Sequence, residues 1–169
     1  ARFALNGVDV RVYDPAPGSE AGLADVLANA RHAYERLTLA PLPPEGAVEL
    51  VGSVDEAVDG AALVQESAPE RLELKRELLA AADRAMSADA LLCSSTSGLR
   101  PSDLQRGLER PERLVVGHPF NPVYLLPLVE LCAGEHTAPQ TVERAAAAYR
   151  AVGMRPLVVR TEIDGFLAD

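Results

Sequence analysis

Apolar and polar positions along this chain switch repeatedly between two periods. Val8, Val10 and Val12 alternate with Asp9, Arg11 and Tyr13, the two-residue repeat of a half-buried strand ending at Asp14. From Glu20 to about Ala40 the repeat becomes helical, in a stretch rich in Ala and Leu. Short apolar runs follow at 48–51, 61–65, 90–93, 114–116, 125–131 and 156–160, each reading as a strand. Helix signals lie between them. Residues 1–6 read as the last turns of a helix stopped by Gly7. Ser53 with Glu56 is a capping box for a short helix. Pro69 is placed to open a helix running to about Met86, and Pro101 one running through Arg106. Thr137 caps a helix with Pro139 in its first turn and Gly153 at its end. Residues 15–19 form a turn and residues 41–46 a stiff loop. Strand and helix thus alternate almost throughout. That predicts an α/β fold, a doubly wound and mostly parallel sheet covered on both faces.

The 169 residues, 48% of them hydrophobic, suffice for one domain with a real core. A formal net charge of -9 argues against nucleic acid and anionic membrane surfaces as partners. No apolar run approaches the roughly 20 residues that span a bilayer, and the N-terminus lacks a secretory leader pattern. The expected location is therefore the cytoplasm. Cys93 and Cys132 sit in apolar segments and read as small buried hydrophobes, and the three His show no metal-ligand spacing with them. The chain opens on Ala1 inside a helical pattern and stops at Asp169 a few residues into another element. The expectation is a piece of a longer protein, cut at both ends.

Candidate chemistry collects where apolar runs end. Ser94, Ser95, Thr96, Ser97, Gly98 and Leu99 follow one run; Gly117, His118, Pro119, Phe120, Asn121 and Pro122 follow another. Glu130 lies inside a third. Strand ends are where open α/β sheets place their sites. A hydroxyl, an imidazole and a carboxylate from Ser97, His118 and Glu130 could move one proton from a bound alcohol at neutral pH. The opening order of helix, strand and Asp14 matches a dinucleotide-binding unit whose carboxylate takes the ribose hydroxyls. Such a carboxylate repels a 2′-phosphate, favouring NAD over NADP. The accompanying glycine fingerprint would fall before residue 1, and Asp14 also fits as the first residue of an Asp-Pro turn.

These residues resemble the 3-hydroxyacyl-CoA dehydrogenase family. Its Ser-x-Thr-Ser-x-Leu segment matches Ser94 to Leu99, and its His-x-x-Asn-Pro segment matches His118 to Pro122. Its catalytic glutamate, twelve residues beyond the histidine, matches Glu130. Its cofactor-side Glu and Lys, five apart on a helix, match Glu70 and Lys75. The resemblance covers essentially the whole chain. It implies a Rossmann-like NAD-binding domain over residues 1–162, lacking the first strand and glycine loop, with residues 163–169 opening a helical C-terminal domain. It further implies NAD as cofactor, a small-molecule substrate and a homodimer of the full-length protein.

Four stretches, 1–5, 39–44, 65–75 and 117–131, are similar to the branch of the family that oxidises carnitine. The expected reaction is NAD-dependent oxidation of the 3-hydroxyl of L-carnitine to 3-dehydrocarnitine. The same chemistry on a 3-hydroxyacyl-CoA or another 3-hydroxy acid stays open, although arginines are scattered and no basic CoA-binding cluster stands out. A silent, crystallin-like binding protein would be expected to have lost His118 or Glu130, and both are present. By resemblance, His118 is the general base, Glu130 holds its other ring nitrogen, and Ser97 binds the reacting oxygen. Asn121 contacts the cofactor, and Glu70 and Lys75 approach it. Each has a plainer reading too: a strand-end His, an edge-strand Glu, a turn Ser, an Asn-Pro turn and a solvated helix face.

Some positions depart from the family pattern. Gly98 and Pro119 replace a common Ser and Phe. Where the family has Gly-Phe-x-x-Asn, Gly165 and Phe166 lead to Asp169. Asp169, with the Tyr124 ring through cation–π attraction, is expected to favour a trimethylammonium group. The 169 residues by themselves are expected to show no turnover.

Overall fold

The computed structural model describes residues 1–37, 40–163 and 165. Helix α1 (Arg2–Leu5) stops where Gly7 takes a φ of 83°, open to glycine because it lacks a Cβ. Strand β1 (Val10–Val12) and helix α2 (Ser19–Leu37) follow. Strand β2 (Val48–Leu50) then pairs in parallel with β1. Helix α3 (Val54–Val58) leads to a five-stranded sheet in sequence order. Its strands are β3 (Leu63–Glu66), β4 (Leu91–Ser94), β5 (Leu114–Pro119), β6 (Leu128–Ala133) and β7 (Arg155–Val159). Helix α4 (Leu72–Ala85) joins β3 to β4, the short α5 (Pro101–Leu104) precedes β5, and α6 (Pro139–Ala151) joins β6 to β7. All neighbours run parallel except β5 and β6. The link 120–127 is too short for a parallel crossover, which takes a dozen residues or more.

Of the continuous apolar runs, those in β4, β5 and most of β6 are buried on both faces, as strands under helices are, whereas β2 and β7 leave Leu50, Leu157 and Val158 exposed. Leu92, Leu114, Val116 and Cys132 face Leu79, Ala82 and Met86. Their chain neighbours Leu91, Cys93, Val115 and Leu131 face Ala145, Ala146 and Tyr149 on α6. The α4 side is latched by an ion pair: Asp83 accepts from Arg113 Nε at 2.8 Å and from the Glu109 and Arg110 amides at 2.7 and 3.2 Å. Among the described residues no helix is long and apolar enough to cross a membrane.

Several boundaries differ from the sequence reading. Helix α4 begins at Leu72, not Pro69, because Arg71 stays extended and the Glu70 carboxylate bonds to another loop. Thr137 does not cap α6; Ala138 holds that position, and the Thr137 hydroxyl donates to the Leu114 carbonyl at 2.7 Å. The capping box is half formed. Ser53 Oγ accepts from the Glu56 amide at 3.2 Å, but the Glu56 carboxylate takes the amide of Gly52 instead of Ser53. The apolar segment 125–131 becomes a strand only from Leu128, after the Leu125 and Leu126 amides turn back onto the Pro122 carbonyl. Strand β5 runs on through His118 to Pro119 because β6 pairs with it there.

Candidate active site

The antiparallel register sets His118 directly across from Glu130. Directly opposed residues share a face of the sheet, so the two side chains meet. His118 Nδ1 lies 3.1 Å from Glu130 Oε2. Glu130 has 0% exposure and His118 8%. A carboxylate so buried requires a partner, and the imidazole supplies one. In the tautomer with Nδ1–H donating to the carboxylate, Nε2 is the basic nitrogen. The Phe120 ring packs against the imidazole, with centroids 5.2 Å apart.

The strand carrying His118 is braced from below. The Tyr149 hydroxyl on α6 donates to Gln65 Oε1, and Gln65 Nε2 donates to the Gly117 carbonyl at 3.3 Å. A Cβ at Gly117 would collide with the Tyr149 hydroxyl, so only glycine lets α6 close on the strand here. Tyr149 and Gln65 were not among the sequence candidates. Their contacts join residues far apart in the chain and leave no local signal.

Strands β3, β4 and β5 are parallel, so their carboxyl ends open on one edge. Ser94 pairs with Val116, so the Ser97 loop and His118 leave adjacent strands at that edge. Ser97 is exposed, and among the described residues its hydroxyl has no hydrogen-bond partner. Its amide donates to Glu70 Oε1 at 3.1 Å, as does the Gly98 amide at 3.0 Å and the Thr96 hydroxyl. Glu70 Oε2 lies 3.5 Å from Lys75 Nζ. Glu70 therefore lies outside the helix, and although its side chain is 43% exposed its carboxylate is engaged by the 96–98 loop and by Lys75.

Lys75 is 1% exposed. Its ammonium contacts both Glu66 carboxylate oxygens, at 2.9 and 3.2 Å, and the Ala68 carbonyl at 2.9 Å. Glu66, another residue absent from the sequence candidates, also accepts from Ser94 Oγ at 2.5 Å. Its signal was a lone carboxylate at the end of an apolar run. Burial pushes the Glu70 carboxyl up, but the Thr96 hydroxyl, the Gly98 amide and Lys75 outweigh that and hold it below its ordinary value. A depressed carboxylate keeps these contacts above its unfolded pKa and loses them as pH falls through the folded one.

The remaining candidates are placed as follows. Asp14 is exposed at the end of β1, and its Oδ1 accepts from the Ala16 amide at 2.9 Å, so it does form the Asp-Pro turn. Asn121 is exposed just beyond β5, before a cis Asn121–Pro122 bond. Tyr124 lines a different cleft, of about 240 Å³, with Arg2, Tyr34 and Gly153. Arg2 is a poor neighbour there for a trimethylammonium group. Asp169 lies outside the described residues. Burial raises the Cys93 thiol to about 12. Burial, then Glu162 and Glu130, raise the Cys132 thiol to about 11. Both cysteines are free, and among the described residues no group of His, Cys, Asp and Glu could hold a metal ion. A dinucleotide fits these residues. Exposed Asp14, Ser97, Gly98 and Asn121 all follow carboxyl ends of strands, where α/β sheets bind such cofactors.

A family model described as 3-hydroxyacyl-CoA dehydrogenase, NAD binding domain, matches residues 1–163. An L-carnitine dehydrogenase/betainyl-CoA thioesterase from a Rhizobium species is 53% identical over 100% of this chain, which covers 34% of that protein. An L-carnitine dehydrogenase from a Pseudomonas species is 51% identical over 100% of this chain, which covers 53% of it. The chain thus spans between about a third and about half the length of these curated relatives. Two crystal structures share the fold. One is of 5-formyl-3-hydroxy-2-methylpyridine 4-carboxylic acid 5-dehydrogenase, an NAD+-dependent dismutase, at 35% identity and a TM-score of 0.91, with 98% of this chain and 54% of that chain covered. The other is of 3-hydroxybutyryl-CoA dehydrogenase from Escherichia coli K12, at 26% identity and a TM-score of 0.81, with 93% and 34% covered.

Proposed function

This chain belongs to the family of 3-hydroxyacyl-CoA dehydrogenase NAD-binding domains, and on that premise we propose that it is the cofactor-binding part of an enzyme oxidising L-carnitine to 3-dehydrocarnitine. The observation that carries the reading is the buried contact between His118 Nδ1 and Glu130 Oε2. NAD+, when bound, supplies the hydride acceptor. His118 Nε2 takes the proton of the 3-hydroxyl as hydride leaves C3, and the alcohol becomes a ketone. Glu130 fixes the tautomer and balances the charge of the imidazolium, an interaction strengthened by its complete burial. Ser97 donates to the reacting oxygen and holds it in line. Asp14, whose second carboxylate oxygen is not used by the turn, takes the ribose hydroxyls, and Asn121 meets the nicotinamide side.

The substrate assignment is supported by the carnitine dehydrogenases that match the whole chain at about 50% identity. Asp169 is the proposed partner of the trimethylammonium. A 3-hydroxyacyl-CoA is the second reading, favoured by the 3-hydroxybutyryl-CoA dehydrogenase likeness. A domain boundary near residue 162, a helical second domain, a homodimer and a cytoplasmic setting belong to the same proposal.

Glu130→Gln tests it, in the protein expressed from its full reading frame. The amide keeps the shape but not the charge. With L-carnitine kcat should fall by about 10²-fold or more, with NAD+ affinity within about twofold. A kcat equal to that of the parent protein would remove the proton-transfer role from this pair.

A further inference from the structure

The loop that carries Ser97 has an unusual support. Among the described residues, no amide from Thr96 to Leu99 donates to a backbone carbonyl. Each is met by a side chain. The Thr96 amide reaches Ser94 Oγ at 3.4 Å, those of Ser97 and Gly98 reach Glu70 Oε1, and that of Leu99 reaches Thr96 Oγ1 at 3.0 Å. The Thr96 hydroxyl in turn donates to Glu70 Oε1. One carboxylate oxygen therefore gathers three donors and governs the shape of the whole turn. We propose that Glu70 is a positioning residue that sets the 96–98 loop and so aims the Ser97 hydroxyl, with the buried Glu66–Lys75 pair as its footing. The inference rests on the reading of Ser97 above and assigns Glu70 a task other than contacting the cofactor.

Charge and rigidity both support this. Hydrogen bonds to an ionised acceptor are roughly twice as strong as neutral ones. The second Glu70 oxygen faces Lys75 Nζ at 3.5 Å, and Lys75 cannot swing away. It is 1% exposed and tied to both Glu66 oxygens and to the Ala68 carbonyl. Glu66 also takes the Ser94 hydroxyl at the end of β4 and the Ala68 amide at 2.6 Å. The footing thus joins β3, β4 and the first turn of α4, three elements whose positions the core fixes. From it, Glu70 reaches across to a loop that no backbone ladder holds.

Three variants of the full-length protein test the assignment: Glu70→Ala, Glu70→Gln and Glu70→Asp. Gln keeps an acceptor oxygen at the same reach; Asp keeps the charge but draws it back by one methylene. With Ala and Asp, hydrogen exchange of the Ser97 and Gly98 amides should speed up by about tenfold or more. Turnover of L-carnitine at saturating NAD+ should fall by about tenfold to a hundredfold. The Kd for NAD+ should stay within about twofold. Gln, which keeps an acceptor but loses the charge that faces Lys75, should restore only part of the exchange protection and of kcat. A Kd for NAD+ raised tenfold or more (about 1.4 kcal/mol) with parental amide exchange would overturn the proposal and make Glu70 a cofactor ligand. Because amide exchange and NAD+ binding are read without turnover, a protein inactive on carnitine would discard the substrate reading and leave this test intact.

Discussion

Replacing His118 by Asn in the full-length protein is expected to lower kcat for L-carnitine oxidation by about 10²- to 10⁴-fold, with NAD+ affinity within about twofold. The expectation follows from where the side chain stands. It is 8% exposed, opposite Glu130 in the β5–β6 register and 3.1 Å from its carboxylate. Asn can still donate to Glu130, so the buried carboxylate keeps a partner and the fold is spared the cost of an orphaned charge. What disappears is the second nitrogen, the group that receives the substrate proton. Steady-state turnover alongside NAD+ titration separates the two effects. A variant that keeps parental kcat would show that the proton goes elsewhere.

The largest effect on stability should come from Asp83→Ala, at about 3–5 kcal/mol. The Asp83 side chain has 0% exposure and that of Arg113 5%. Asp83 accepts from Arg113 Nε and from two successive amides, Glu109 and Arg110. Truncation leaves a buried guanidinium with carbonyl partners only, one of them Ser87 O at 2.6 Å, and frees both amides in a tight turn. The exposed pair Arg11–Asp59, at 3.9 Å, makes the contrast: removing it should cost at most about 1 kcal/mol. Urea unfolding of the two variants measures the difference, and equal midpoints would contradict it.

How much of this could be read from the chain depended on whether the cause was local. The strands 90–93 and 114–116 were legible because both faces are buried and the runs are continuously apolar. Gly7 and Gly153 were legible as helix stops because the backbone itself demands a positive φ there. The His118–Glu130 pair was legible as two residue types twelve apart, but their meeting was not. It depends on β5 and β6 being antiparallel, and the sequence offered a strand beginning at 125 in place of a turn. Pro69 and Thr137 misled for a related reason. Each carries a local helix-start signal, yet tertiary partners engage the polar groups nearby: the 96–98 loop takes Glu70, and the Leu114 carbonyl takes Thr137. Gln65 and Tyr149 escaped because their partners lie 52 and 84 residues away. Glu66, with Lys75 nine residues on, escaped because a lone carboxylate ending an apolar run does not show that the pair is buried.

The most direct measurement follows NAD+ reduction by the full-length protein with L-carnitine and with 3-hydroxybutyryl-CoA in parallel. The account expects turnover of L-carnitine, abolished with His118→Asn, and little or none of the thioester. Turnover of the thioester alone would keep His118 and Glu130 as the working pair but contradict the carnitine assignment. Turnover of neither by a protein that still binds NAD+ would contradict both substrate readings and point to another 3-hydroxy acid or to a silent binding protein.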